Sequence, residues 1–195
     1  MTQNHDSKTA QTLAERLKEI IAQREFSLFL VLILAGIFMS FMSPVFFTWA
    51  NIEAILLALS VDAIIAVGMV VLLISGGLDL SIGSTLGLTG VVTGLCLNAG
   101  LPVWTAVLAG LASAVLVGLG NGLLVARLKI NPFITTLGMQ MMIRGLLLVI
   151  AEGRAVLNLP ESFTVIGQGR LLTVQYPIYI MLVLVVIGEI LVRNT

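Results

Sequence analysis

Six apolar runs, each about as long as a membrane's hydrocarbon core demands, constrain this chain more than any other feature. A transmembrane helix needs roughly 20 predominantly apolar residues. The runs are placed at Ser27–Phe47, Asn51–Ser75, Leu80–Leu97, Pro102–Val125, Pro132–Ala151 and Leu172–Val192. Hydrocarbon offers no water to backbone groups, so such segments fold as helices that satisfy themselves. The expected fold is therefore all-α: a polytopic transmembrane helix bundle of about six spans. Residues 1–26 form a cytoplasmic polar leader and residues 27–195 the transmembrane domain. Composition agrees, since 58% of residues are hydrophobic and 10% charged, with a mean hydropathy of +1.11. Soluble domains carry about a quarter charged residues.

The ten basic and ten acidic residues cancel, so no electrostatic footprint for nucleic acid is present. Cys96 is the sole cysteine and has neither a disulfide partner nor metal-ligand spacing. No A-x-A-like cleavage site lies between Ser40 and Pro44, so the first run reads as an uncleaved span.

Basic residues set the orientation. Lys8, Arg16, Lys18 and Arg24 precede the first run, Arg127 and Lys129 follow the fourth, and Arg193 follows the sixth. With a cytoplasmic N-terminus, all of these fall on one side. Arg154 and Arg170 fall in the longest outer loop. In the leader, Thr12-Leu13-Ala14-Glu15 matches a capping box, and Leu13, Leu17, Ile20 and Ile21 share a helical face. That helix is expected to lie at the cytoplasmic interface or to dock a partner.

Small residues recur every fourth position in the fourth run, at Ala106, Gly110, Ala114, Gly118 and Gly122. Gly83/Gly87 and Gly90/Gly94 repeat the spacing in the third. Between helices in lipid, close backbone packing replaces the hydrophobic drive. The stripe is read as a tight seam within one bundle or as a self-association face. On that reading Gly118→Leu separates neighbouring helices.

Polar groups inside the runs need a partner or a function. By axial rise, Asp62 lies about 16 Å and Arg144 about 10 Å from the outer ends of their runs, within an arginine's reach of each other. They are expected to face the interior, where they pair or meet water, a carbonyl or another subunit. Glu53 and Glu189 sit near run ends, from which they can snorkel to water. Asn121, Thr135 and Thr136 are read as groups that hydrogen-bond between helices or as the lining of a polar path. Phe133, Trp104, Trp49 and Tyr176 have ordinary interface or core readings.

The segment Gly76-Gly77-Leu78-Asp79-Leu80-Ser81-Ile82-Gly83 places a carboxylate and three glycines between two apolar runs. Two readings stay open. It is a hairpin at the cytoplasmic surface, with Asp79 capping the next helix. Alternatively, it is a break at membrane depth beside a cavity, as transporters use along a substrate path.

Ile74 to Ser84 resembles the signature of the ribose-type permeases of bacterial ABC sugar importers. Asn121-Gly122-Leu123-Leu124-Val125 is similar to a second block of that family. Asn131-Pro132-Phe133-Ile134-Thr135-Thr136-Leu137-Gly138-Met139 with Arg144-Gly145 is similar to a third, and Gly167-Gln168-Gly169 to a weaker fourth. The blocks run in family order from about Phe46 onward. The resemblance implies a multi-pass subunit of the bacterial cytoplasmic (inner) membrane, working beside a second permease copy. A periplasmic sugar-binding protein delivers a monosaccharide, and a cytoplasmic ABC ATPase supplies energy. The permease itself takes no cofactor, because ATP is bound by the partner. This chain lacks G-x-x-x-x-G-K-[ST], and no catalytic or metal-binding constellation argues for an enzyme.

Members of that family carry a longer transmembrane region with an ATPase-coupling segment further along. The chain is therefore expected to be an amino-terminal portion: a fragment, a truncated product or a split subunit. Arg127–Asn131 is its one short basic internal loop. Gly76, Gly77, Asp79, Ser81 and Gly83 are assigned to a signature break or gate, with a structural or gating role for Asp79 favoured over direct sugar contact. Asp62, Asn121, Thr135, Thr136 and Arg144 are assigned to path or intramembrane polar contacts. Two other functions compete: an ion- or proton-coupled secondary transporter using Asp62 or Asp79, and a non-transporting membrane assembly protein. The sugar itself is not legible.

Overall fold

The computed structural model describes residues 24–193; the leader helix expected around Leu13, Leu17, Ile20 and Ile21 lies outside them. The elements run α1 (Arg24–Met42), α2 (Trp49–Ile74), α3 (Ile82–Asn98), α4 (Val103–Ala126), α5 (Pro132–Ile150), α6 (Glu161–Gln168), β1 (Arg170–Leu171), β2 (Val174–Gln175) and α7 (Tyr176–Arg193). Each apolar run has become one helix. By length and composition, α2, α4, α5 and α7 suffice to cross a membrane, whereas Phe26–Met42 of α1 and the whole of α3 are shorter. The chain divides into two compact units, Met1–Ile55 and Leu56–Thr195.

Helix ends follow local chemistry. At the end of α2, Gly76 adopts φ 77°. Its N–H donates to the Leu73 carbonyl, and the Gly77 N–H to the Leu72 carbonyl, both at 3.0 Å. This is a Schellman closure, in which glycine takes the left-handed position without steric cost. Gly100, at φ 84°, ends α3 in the same way, with Gly100 and Leu101 bonding back to Leu97 and Cys96. At the start of α5, the Asn131 side chain accepts from the Phe133 N–H at 2.9 Å, and Pro132 occupies the first turn.

Two boundaries differ from expectation. The first helix stops at Met42 instead of Phe47, because Ser43–Thr48 closes into hydrogen-bonded turns around Pro44. The last begins at Tyr176 instead of Leu172. There the chain makes a two-stranded antiparallel hairpin, pairing Arg170 with Gln175 and Leu171 with Val174. Leu172 turns it with φ 60°. The helix α6 and this hairpin, in the longest loop, were not legible as elements.

In the second unit, α3 packs against α4 and α5, and α7 against α6 and the hairpin. A Cβ added at Gly110 of α4 would collide with Thr93 Oγ1 and lie 2.8 Å from the Thr89 carbonyl oxygen of α3. One at Gly87 of α3 would lie 2.9 Å from Leu147 Cδ1 of α5. Gly188 of α7 meets Val67 of α2 similarly, at 2.8 Å. Absent side chains thus let helices approach where lipid supplies no hydrophobic drive.

At Gly118 the seam expected from the stripe is not formed, since a Cβ there meets nothing within 4 Å. The stripe divides: Ala106 and Gly110 pack tightly, whereas Gly118 and Gly122 face open space. Burial is inverted relative to a water-soluble protein. Leu32, Leu116, Leu148 and Val186 are exposed, while Ser60, Ser81, Thr93, Asn121, Thr135 and Thr136 are buried. That is the arrangement expected of helices solvated by hydrocarbon. In the first unit, Glu53 is buried instead of reaching for water. Glu189 is exposed and pairs with Arg193 one turn on, at 2.6 Å.

Candidate functional site

The link between α2 and α3 is built around one carboxylate oxygen. Asp79 Oδ1 accepts from the Ser81 N–H at 2.7 Å and from the Ser81 Oγ–H at 2.6 Å. An aspartate bonding to backbone two residues on closes a turn. It does so immediately before Ile82, the first residue of α3. Ser81 is fully buried, and its carbonyl accepts from the Thr85 N–H at 2.9 Å and the Thr85 hydroxyl at 3.0 Å.

Ser81 also reaches across the bundle. Asn121 Nδ2, from α4, donates to Ser81 Oγ at 2.9 Å. A hydroxyl has one proton and spare lone pairs. Here the proton goes to Asp79 and a lone pair receives Asn121. Three polar groups, contributed by positions 40 residues apart, form one directed relay. The relay fixes the Asn121 amide, with Nδ2 toward Ser81. Asn121 Oδ1 is left buried without a hydrogen-bond partner.

Beside the relay lies a cavity of about 340 Å³. Gly76, Gly77 and Asp79 line it from the link, Gly118, Asn121 and Gly122 from α4, and Pro132 and Thr136 from α5. The open space over Gly118 and Gly122 is this cavity. Asp79 therefore closes the turn just before α3 and also borders a cavity.

The other residues singled out from sequence are placed as follows. Thr136 lines the cavity and donates its hydroxyl to the Pro132 carbonyl at 2.8 Å, within its own helix. Thr135 is buried, and its Oγ1 finds no partner among the described residues. Gly83 is exposed, the second residue of α3, and away from the cavity lining. Asp62 and Arg144 do not pair: both side chains are exposed instead of facing inward. Phe133, Trp49 and Trp104 are also exposed, and among the described residues no aromatic ring lines the cavity.

Sequence reasoning left a cavity beside the link as one of two readings and missed the lining role of Ser75 and Pro132. One signal was present, because Gly118, Asn121, Gly122 and Val125 fall on one sector of a helix. It also missed how the segment after α5 folds back on α3. Asn98 Nδ2 donates to the Leu157 carbonyl at 3.1 Å, and a Cβ at Gly94 would lie 2.8 Å from Val156 Cγ1.

Comparison with known proteins bears on the same region. The family model described as branched-chain amino acid transport system / permease component matches residues 51–195. The ribose import permease protein RbsC of Haemophilus influenzae is 34% identical over 180 residues, covering 90% of this chain and 55% of its own length. RbsC of Escherichia coli K12 is 38% identical over 159 residues, 80% of this chain and 49% of the relative. The L-arabinose transport system permease protein AraH of Escherichia coli K12 is 34% identical over 152 residues, 78% and 46% respectively. The chain thus spans about half the length of the curated relatives it matches. No solved structure matches it.

Proposed function

Because the chain belongs to the family of branched-chain amino acid transport system permease components, we propose that it forms part of the translocation path of an ATP-driven importer for a monosaccharide. The carrying observation is convergence. Segments around Ser75–Asp79, Gly118–Val125 and Pro132–Thr136 are distant in sequence yet line one cavity. A cavity at a helix break that brings a few polar groups, Asp79, Asn121 and Thr136, to an otherwise apolar lining is what a substrate path through hydrocarbon needs.

The proposal places the protein in the bacterial inner membrane with six spans and a cytoplasmic N-terminus. The Gly76–Ser81 link and the Arg127–Asn131 loop then share the cytoplasmic end. Energy comes from a separate ABC ATPase, sugar from a periplasmic binding protein, and the path is completed by a second permease copy. The chain itself binds no nucleotide and catalyses no reaction. Relatives named for ribose and arabinose favour a pentose as substrate.

The test is uptake of labelled ribose and arabinose into proteoliposomes holding this chain, its ATPase and its binding protein. ATP-dependent uptake that survives a protonophore is the expected result. Uptake that collapses with the protonophore while ATP is maintained assigns the chain to ion-coupled transport. No uptake of any sugar overturns the importer reading.

A further inference from the structure

From Leu56 onward, the long apolar helices α2, α3, α4, α5 and α7 carry four charged side chains: Asp62, Arg144, Glu189 and Arg193. Glu189 and Arg193 satisfy each other at 2.6 Å. Asp62 and Arg144 are exposed, and their charged groups have no hydrogen bond or ion pair among the described residues. One acid and one base are left over.

The two stand at one depth. The ends of α2 and α5 share a level, because Leu72, Ser75 and Gly76 line the same cavity as Pro132 and Thr136. Asp62 is 12 residues before Ile74, the last of α2, and Arg144 is 12 residues after Pro132, the first of α5. Both therefore lie about 18 Å from that level, deep in a hydrocarbon layer about 30 Å thick. Charges at such depth meet protein or a water-filled cavity, and they pair with one another. Neither lines the cavity beside the link.

Each charge also sits on an exposed apolar helix face. Leu59 and Leu73 lie on the side of α2 that carries Asp62, and Leu137, Met141 and Leu148 on the side of α5 that carries Arg144. Apolar surroundings exclude water from a charge pair and strengthen its attraction. A chain that offers an unpaired acid and an unpaired base at equal depth is complementary to a copy of itself. In a two-fold assembly residue i meets residue j, and j meets i. An axis along the membrane normal keeps their depths equal, so one partner satisfies both charges.

We propose that α2 and α5 form an interface with a second copy of this chain, in which Asp62 of one protomer binds the partner's Arg144 and Arg144 binds the partner's Asp62. The guanidinium fork matches both oxygens of a carboxylate. The inference rests on the reading that a second copy completes the path, and adds which side chains join the copies. Within one protomer the two charges stay apart, so in the monomer their replacements act independently. Coupling between them belongs to the dimer.

The experiment measures association of the purified chain in lipid vesicles, by energy transfer between copies labelled at Cys96, the sole cysteine. Wild-type copies are expected to associate. Asp62→Arg alone and Arg144→Asp alone should each abolish self-association, because like charges then face each other. Reconstituting these two chains together should restore it, since both contacts become opposite in sign. A pair formed within one chain, or with any other partner, gives no such rescue. The neutral variants Asp62→Asn and Arg144→Gln should weaken association at least tenfold, and they decide the matter if a reversed charge blocks folding by circular dichroism. Failure of the wild-type chain to associate overturns the proposal. So does association indifferent to the neutral variants, as when Arg144 reaches the membrane surface instead, or absence of rescue between two folded charge-reversed chains. Transport separates the two readings. ATP-driven uptake without rescue removes the pairing and leaves the importer. Rescue without ATP-driven uptake removes the importer and leaves the pairing.

Discussion

The two ends of α4 carry the same small-residue spacing and use it oppositely. At Gly110 the helix lies so close to α3 that no Cβ fits, and one turn earlier Ala106 is fully buried. Around Gly118 and Gly122, two turns further on, the missing side chains open a cavity. Glycine removes bulk in both places, and the neighbour decides what fills the gap. At the first end Thr89 and Thr93 of α3 move in; at the second Asn121 bonds to Ser81 of the link beside an open cavity. A periodic stripe therefore records where a helix is thin and leaves open whether thinness serves contact or space.

The largest effect should come from Gly110→Leu. The new side chain meets backbone at Thr89, which cannot rotate away, and overpacking of this kind costs about 3 kcal/mol. Loss of folded protein in a detergent melting assay is the expected outcome, and an unperturbed midpoint would erase the contrast along α4. Ser81→Ala should cost about 1–3 kcal/mol, since it leaves Asn121 Nδ2 buried without an acceptor. Combined with Asn121→Ala, the loss should fall short of the sum of the singles, because both changes break the same relay. Strict additivity in a double-mutant cycle would show that the link and α4 are not joined there. Gly118→Leu should leave the melting midpoint within the range of surface substitutions, about 0.5 kcal/mol, since its Cβ enters empty space. A collapse as large as that of Gly110→Leu would return Gly118 to the packed seam. Smallest of all, Asp62→Asn and Arg144→Gln should show no coupling beyond about 0.5 kcal/mol, because the two charges do not meet.

The helices were legible because hydrocarbon imposes one rule on every span. Runs such as Trp49–Ile74 and Val103–Ala126 announce themselves by length alone. Their ends were readable where glycine or proline forces a conformation, as at Gly76, Gly100 and Pro132. They were less so where a turn closes on main-chain bonds, as at Ser43–Thr48. The relay was half legible. Asp79 beside Ser81 is a local pattern, and the turn it closes before α3 follows from sequence distance. Asn121 belongs to the relay only through the packing of α4 on α3, which no spacing within α4 encodes. The Asp62–Arg144 expectation failed for a related reason. Axial depth can be counted along a helix, but the rotation of one helix about its axis relative to another is set by contacts such as Gly110 on Thr93.

The shortness of α3 has a consequence for the lipid. Its 17 residues give a helix of about 25 Å, against a hydrocarbon layer of about 30 Å. A bilayer thins around a helix this short or draws its polar flanks inward, at a modest cost per ångström of mismatch. In the proposed six-span topology the Asp79–Ser81 turn is one of those flanks, and acyl-chain length would then bear on its hydrogen bonds, thicker membranes pulling on them and thinner ones relaxing them.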